Sequence, residues 1–162
     1  MAVSSPSRLA ALLPLLISLM YGGCSDRPPS VEEQLQQLLN QAETHLEARD
    51  LSSAMAFVDP AYSDGDGRDF RALRAMLVGY FLRHKSIHIL SKVDQIELLP
   101  EGDAEVVVFA GLAGSPQQVE QGLSQWRGDL LRLKLLFVAQ GDGEWRLRSA
   151  EWRRAAPQDF SL

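Results

Sequence analysis

The apolar residues of this chain change their spacing once, near Lys85, and that change limits the folds open to it. Before it they recur every three or four positions, the period of a helix with one buried stripe. Val31, Leu35, Leu38, Leu39, Ala42 and Leu46 form one such stripe; Phe70, Leu73, Leu77, Tyr80, Phe81 and His84 form another. After it, alternation and β-branched residues take over, which is the period of strands. Helices followed by strands give an α+β domain with the helices on one face of the sheet.

Local signals set the boundaries. Ser30 and Glu33 make an S-x-x-E capping pair directly before the first stripe. Asp50 heads a short second helix over Leu51–Phe57, and Asp59-Pro60 closes it, because proline disfavours the α conformation in the residue before it. Ala61–Gly67 reads as a loop or short hairpin. Asp66 and Asp69 stand at the start of the third helix, where carboxylates satisfy free backbone N–H groups. Met76 and Val78 widen the stripe of that helix, so deep burial is expected for it, with an end near Lys85. In Ser86–Leu99 the apolar parity shifts from Ile87, Ile89 and Val93 to Ile96 and Leu98, which predicts a bulge near Asp94–Gln95. Pro100–Asp103 is a turn, Ala104–Ala113 a central strand buried on both sides, and Gly114–Gly122 a polar loop. Gln125–Gln140 and Trp145–Arg154 are strands joined by the Gly141-Asp142-Gly143 turn. The expectation is three N-terminal helices packed on a curved, roughly four-stranded antiparallel sheet over residues 30–155, with a tail at 156–162.

The first 29 residues carry a different signal. Arg8 precedes an uncharged apolar run, Leu9–Met20, and Gly22-Gly23 come before Cys24. A basic start, an apolar stretch of about 7–15 residues and small residues before a cut make a secretory signal. The run is shorter than the roughly 20 residues a spanning helix needs, and Pro14 interrupts it. Tyr21-Gly22-Gly23-Cys24 resembles the lipobox of bacterial lipoproteins, with Tyr21 where the usual pattern has Leu. The resemblance implies a signal peptide at 1–23, a lipidated Cys24, a tether at 24–29 and a membrane partner reached through the lipid. Ser25 stands where an Asp would retain many Gram-negative lipoproteins in the inner membrane. The expected location is therefore the cell envelope, lipid-anchored, on the outer membrane facing the periplasm.

Cys24 is the only cysteine, so an oxidising compartment offers this chain no intramolecular disulfide, and stability must come from a core. The chain has a formal net charge of −5. Loss of residues 1–23 removes Arg8 and no acid, leaving 15 basic against 21 acidic residues, or −6. An acidic domain is poorly suited to nucleic acid, whose affinity rests on cationic contacts to phosphate. No partner of that kind is expected.

The order of elements resembles the nuclear transport factor 2-like family, a cone-shaped, cystatin-like α+β fold. The residues that carry it are the first helix ending in Leu46-Glu47-Ala48-Arg49-Asp50, the Leu51–Phe57 helix with its Asp59-Pro60 turn, the helix at Asp69–His84, and the Gly143-Glu144-Trp145-Arg146-Leu147 strand start with Trp152 beyond it. The resemblance covers about Ser30–Arg154. It implies a pocket inside the cone and a homodimer through the sheet. Enzymes of the family place an acid–base pair in that pocket, and the candidates here are Asp59, Tyr62, Tyr80, His84 and His88. The catalytic alternative is an isomerase or dehydratase using His84, Asp59 and Tyr80. The preferred expectation is a non-catalytic module that binds a small apolar ligand or a partner protein.

Other constellations are weaker. His84 and His88 have the i, i+4 spacing of metal ligands, but the expected helix ends between them. His45 lies on another helix. Asp64-Gly65-Asp66-Gly67-Arg68-Asp69 starts like a calcium loop, yet Arg68 occupies a ligand place and Ala75 the place of the required Glu. No metal and no cofactor are expected. Arg127, Arg132, Lys134, Arg146, Arg148, Arg153 and Arg154 alternate with apolar residues in the last two strands, giving a basic sheet face. It reads as a solvated outer face, or as a docking face at Arg132, Lys134, Arg146 and Arg148 for an acidic partner or lipid headgroups. Trp126, Trp145 and Trp152 read as core plugs.

Overall fold

Side-chain caps fix where the helices begin. The computed structural model of the protein describes residues 27–114, 129–141 and 143–160. Helix α1 spans Val31–Glu47: the Ser30 N–H donates to Glu33 Oε2 at 2.7 Å and the Glu33 N–H donates to Ser30 Oγ at 3.2 Å, a complete capping box. Helix α2, Leu51–Ala56, is capped by Asp50, which accepts from the Ser53 N–H at 3.1 Å. Helix α3, Phe70–Arg83, is capped by Asp69, which accepts from the Ala72 N–H at 2.8 Å. Between α1 and α2, Arg49 takes the left-handed conformation, φ 58°, which L side chains rarely adopt. Its guanidinium donates to the Phe81 carbonyl at 2.6 Å and the Lys85 carbonyl at 3.3 Å. The strained turn thereby satisfies carbonyls at the end of α3, which its own helix leaves unpaired.

Four strands follow: β1 (His88–Leu98), β2 (Ala104–Ala113), β3 (Asp129–Ala139) and β4 (Trp145–Arg154). They form one antiparallel sheet in the order β1-β2-β3-β4. Register slips between Val93 and Gln95, where the parity change predicts a bulge. That slip keeps Ile89 and Val93 on the same face as Ile96 and Leu98. A second slip skips Arg148 between the pairs Leu136–Ser149 and Phe137–Leu147. Bulges bend a sheet and tighten its twist, and here they curve it around the helices.

The core lies between the helices and the concave face. Leu35 of α1 is fully buried among Val106, Val108, Leu135, Phe137, Trp145 and Ala150. Trp145 donates its indole N–H to Gln34 Oε1 at 3.2 Å, so its one polar atom is satisfied at the core's edge. The β4 edge does not stay open. The Leu147 N–H donates to Phe57 O, and the N–H groups of Asp59 and Ser63 donate to Leu147 O and Arg148 O. The β1 edge is covered at its start by α1: Glu47 accepts from the Ile89 N–H at 2.7 Å and Glu43 from the Ser91 hydroxyl. On the convex face a 3₁₀ turn, Pro157–Phe160, folds back and buries Phe160 against Phe109 at 5.3 Å between ring centroids. The folded body thus reaches past residue 155 into the segment expected to be a tail.

One expectation is overturned. Helix α3 is not deeply buried: only Leu73 and Phe81 are enclosed, while Met76 is 38% and Leu82 79% exposed. The two enclosed residues stand eight positions apart, about two turns. They anchor the helix at both ends, and the stretch between them is held off the sheet.

Candidate functional site

The gap beneath α3 is the candidate site. It is an apolar cavity of about 430 Å³. Its roof is Leu73, Met76, Leu77 and Tyr80 of α3; Ala42 and Leu46 of α1 close one side. Its floor is Leu112 of β2, Leu131 and Leu133 of β3, and Leu147, Ala150 and Trp152 of β4. A further 190 Å³ adjoins it toward Phe81, Ile87 and Ile89, sharing Leu46, Met76, Leu77, Tyr80 and Leu112. The main volume lies within the usual span for small-molecule sites, which are mostly apolar with a few placed polar groups. Small residues at Ala42, Ala54 and Ala150 leave the space that larger ones would fill.

Three oxygen-bearing side chains line this cavity, Tyr62, Tyr80 and Asp129, and the Trp152 indole adds an N–H donor. Burial, helped by the charge of Asp64, pushes the Tyr62 hydroxyl up to about 12, so it stays protonated. The Tyr62 O–H donates to Asp64 Oδ2 at 3.5 Å. Burial and then the Asp129 charge also raise Tyr80, with Arg83 opposing them. The Tyr80 ring stacks on His84 with centroids 4.3 Å apart.

The sequence candidates are scattered around this space rather than gathered in it. Tyr62 and Tyr80 line it. His84 is exposed beyond the end of α3, and His88 begins β1, so the two histidines share no helix. Asp59 is buried elsewhere: it accepts from the Ala61 N–H at 2.7 Å, Gln140 Nε2 at 3.2 Å and Arg148 Nη2 at 3.2 Å. Burial pushes its carboxyl up, but these bonds and the Arg148 charge outweigh that and hold it below the ordinary value. No hydrogen bond joins Asp59 to His84 or Tyr80. The calcium-like loop closes on Arg68. Asp64 accepts from the N–H groups of Asp66 and Arg68 and from Arg68 Nε at 2.8 Å, and Arg68 also bonds Asp66. The same guanidinium lies 4.5 Å above the Trp152 ring, backing the cavity wall. Among the described residues no cluster of His, Cys, Asp and Glu could hold a metal ion.

The expected basic face is of mixed charge. Lys134 pairs with Glu105 at 2.8 Å and faces Glu151 across the ladder; Arg146 lies 3.5 Å from Glu144. Arg148, the residue skipped in the register, turns to Asp59. Arg132 stands opposite Arg153 on the convex face. Sequence periodicity cannot see these pairings, because they depend on cross-strand register. It also missed Asp129 as a cavity residue, because Gln125–Gln140 read as one strand and gave Asp129 an interior place in it. Cys24, the signal peptide, Trp126, Arg127 and residues 115–122 lie outside the described residues.

No family model matches the chain, and no curated protein matches it. Solved structures do. A cystatin-like domain of unknown function from Nostoc punctiforme superposes with TM-score 0.62 at 11% identity, over 80% of each chain. A provisionally named dehydratase of the NTF2-like family from Streptomyces avermitilis gives TM-score 0.57 at 15% identity, over 76% of this chain and 95% of that one. Bd1075 of Bdellovibrio bacteriovorus gives TM-score 0.58 at 11% identity, over 75% of this chain and 40% of its own length. With helices leading into a curved four-stranded antiparallel sheet, the chain has an NTF2-like, cystatin-like α+β fold. A fold of this kind does not define an activity.

Proposed function

We propose that this protein is a lipid-anchored envelope lipoprotein whose domain binds a small apolar ligand without transforming it. The observation that carries the reading is the cavity beneath α3: about 430 Å³ of leucine-lined space, with no His, Cys, Lys or Arg among its described lining residues. The acid–base pair that the catalytic alternative would draw from Asp59 and His84 is not assembled at this cavity. Asp59 is instead occupied by Arg148 and Gln140, and His84 stacks outside the cavity. The lipobox-like Tyr21–Cys24 stretch supports the anchor, and the outer membrane facing the periplasm is the proposed address. Three acyl chains at Cys24 would hold the domain permanently, since two already suffice.

Two measurements test this. Intact mass of the detergent-extracted protein should show residues 1–23 removed and a lipid mass on Cys24; an unmodified chain refutes the anchor. The neutral dye N-phenyl-1-naphthylamine should fluoresce on binding, and Leu131→Trp should cut its affinity at least about tenfold by filling the floor. Unchanged binding in that variant would place the ligand elsewhere.

A further inference from the structure

The polar groups of the cavity select among apolar ligands by the charge of the ligand's polar end. This inference rests on the ligand-binding reading above and names the ligand class. Asp129 is the sole charged residue among the described residues lining the main cavity, and it is exposed at the first position of β3, so it marks the end that opens to water. Tyr80 lines both the main cavity and its side extension, and its ring is fixed by stacking on His84. Both groups can accept a hydrogen bond, and the carboxylate can only accept.

Among the described residues, the cations nearest the cavity are absent from its lining. Arg68 lies 4.5 Å over the Trp152 ring, is absent from the cavity lining, and already bonds Asp64 and Asp66. Arg83, one turn beyond Tyr80, lies back along α3, with its Nη1 3.5 Å from where a Cβ on Gly79 would sit. It is absent from the cavity lining, and at Tyr80 the field of Asp129 outweighs that of Arg83. Tyr62 offers no free donor, because its hydroxyl points to Asp64. A carboxylate brought into this space would lose water, meet Asp129, and find no cation among the described lining residues, with only the neutral Tyr80 O–H and Trp152 N–H as donors, which is costly in a low-dielectric site. A hydroxyl or amine would gain an acceptor.

We propose that the cavity takes a hydrophobe whose polar end donates hydrogen bonds (an alcohol, a phenol or an amine), seats that end between Tyr80 and Asp129, and rejects the fatty acid of equal length.

The test is displacement of N-phenyl-1-naphthylamine from the full-length mature protein by octanol, octylamine and octanoate at pH 7. Octanol and octylamine should displace the dye at concentrations at least about tenfold lower than octanoate. In Asp129→Asn, octanoate should gain several-fold and octylamine should lose several-fold, with octanol unchanged. Octanoate binding as well as octanol would overturn the selectivity while leaving the apolar site standing. A gap that survives in Asp129→Asn would overturn the role of Asp129. A dye that does not bind at all would overturn both the site and its selectivity. Because Asp129 is exposed, the variant should keep the far-UV and thermal profile of the parent; loss of fold would show that Asp129 is structural and would overturn the assignment.

Discussion

The loop from Asp59 to Asp69 and the cavity beside it share Tyr62 as a wall, yet they solve opposite problems. In the loop, polar groups are densely paired. Asp64 takes four donors and Asp59 takes three, so two buried carboxylates pin the loop to itself and to β4. In the cavity, apolar surface is left over: Tyr62 is buried in its wall, Tyr80 is half-buried and Asp129 is exposed. The lesson is that the richest cluster of titratable side chains here holds structure, while the poorest region has room for a ligand. Buried carboxylates with full sets of donors are stable where they are and have little left to offer a substrate.

Several substitutions would break or sharpen that contrast. The largest effect is expected where packing is complete. Leu35→Ala should cost about 4 kcal/mol, because a fully buried leucine leaves a hole the surroundings cannot close. Urea unfolding measures it, and a cost near 1 kcal/mol would show a loose core. Next comes the loop. Asp64→Ala should cost about 3 kcal/mol, since it leaves two backbone N–H groups, the Tyr62 hydroxyl and the Arg68 Nε without their acceptor. It should also weaken dye binding, because Tyr62 and Trp152 lose their backing; dye binding at parental strength would show that the loop and cavity are independent.

Smaller effects follow in the cavity. Leu77→Ala should cost only about 1.5 kcal/mol, below the range of core leucines, because its side chain already borders empty space. A cost equal to that of Leu35→Ala would mean that α3 is packed rather than raised. The pH dependence should be smaller again and should divide the two regions. Asp59 and Asp64 are held below their ordinary value of 3.8, so the stability they contribute is present above about pH 4 and is lost as pH falls through their folded values. The double variant Asp59→Asn, Asp64→Asn should lose that acid slope. Tyr62 titrates the other way. Its folded value of about 12 lies above the ordinary 10.0, so its contribution is present below pH 10 and lost as pH rises to 12. Tyr62→Phe should flatten the alkaline limb alone; a slope that persists would assign it to another group.

Much of the frame was legible before the structure. Ser30 with Glu33, Asp50, and Asp69 placed the helix starts, because a cap is a local bond between residues two or three apart. The parity change after Val93 placed the bulge, because strand side chains alternate with a fixed period of two. Tyr62 and Tyr80 were legible as site residues: both line the apolar space, where Tyr80 stacks on His84 and neither hydrogen-bonds Asp59. Asp129 was missed, and Met76 was placed in a buried stripe that the fold does not bury.

The chain alone determined its helices, its strands, the order of the two and the lipobox-like cysteine. All of these follow from short-range spacing, caps and turns. Only the tertiary structure decided that α3 rests on Leu73 and Phe81 and leaves a cavity between them, that Arg148 leaves the basic row to hold Asp59, and that Arg68 takes the place a cation would need beside Asp64. Those outcomes depend on curvature and on which residue stands opposite which. A one-residue slip in a strand moves every side chain after it to the other face, and no local pattern records that.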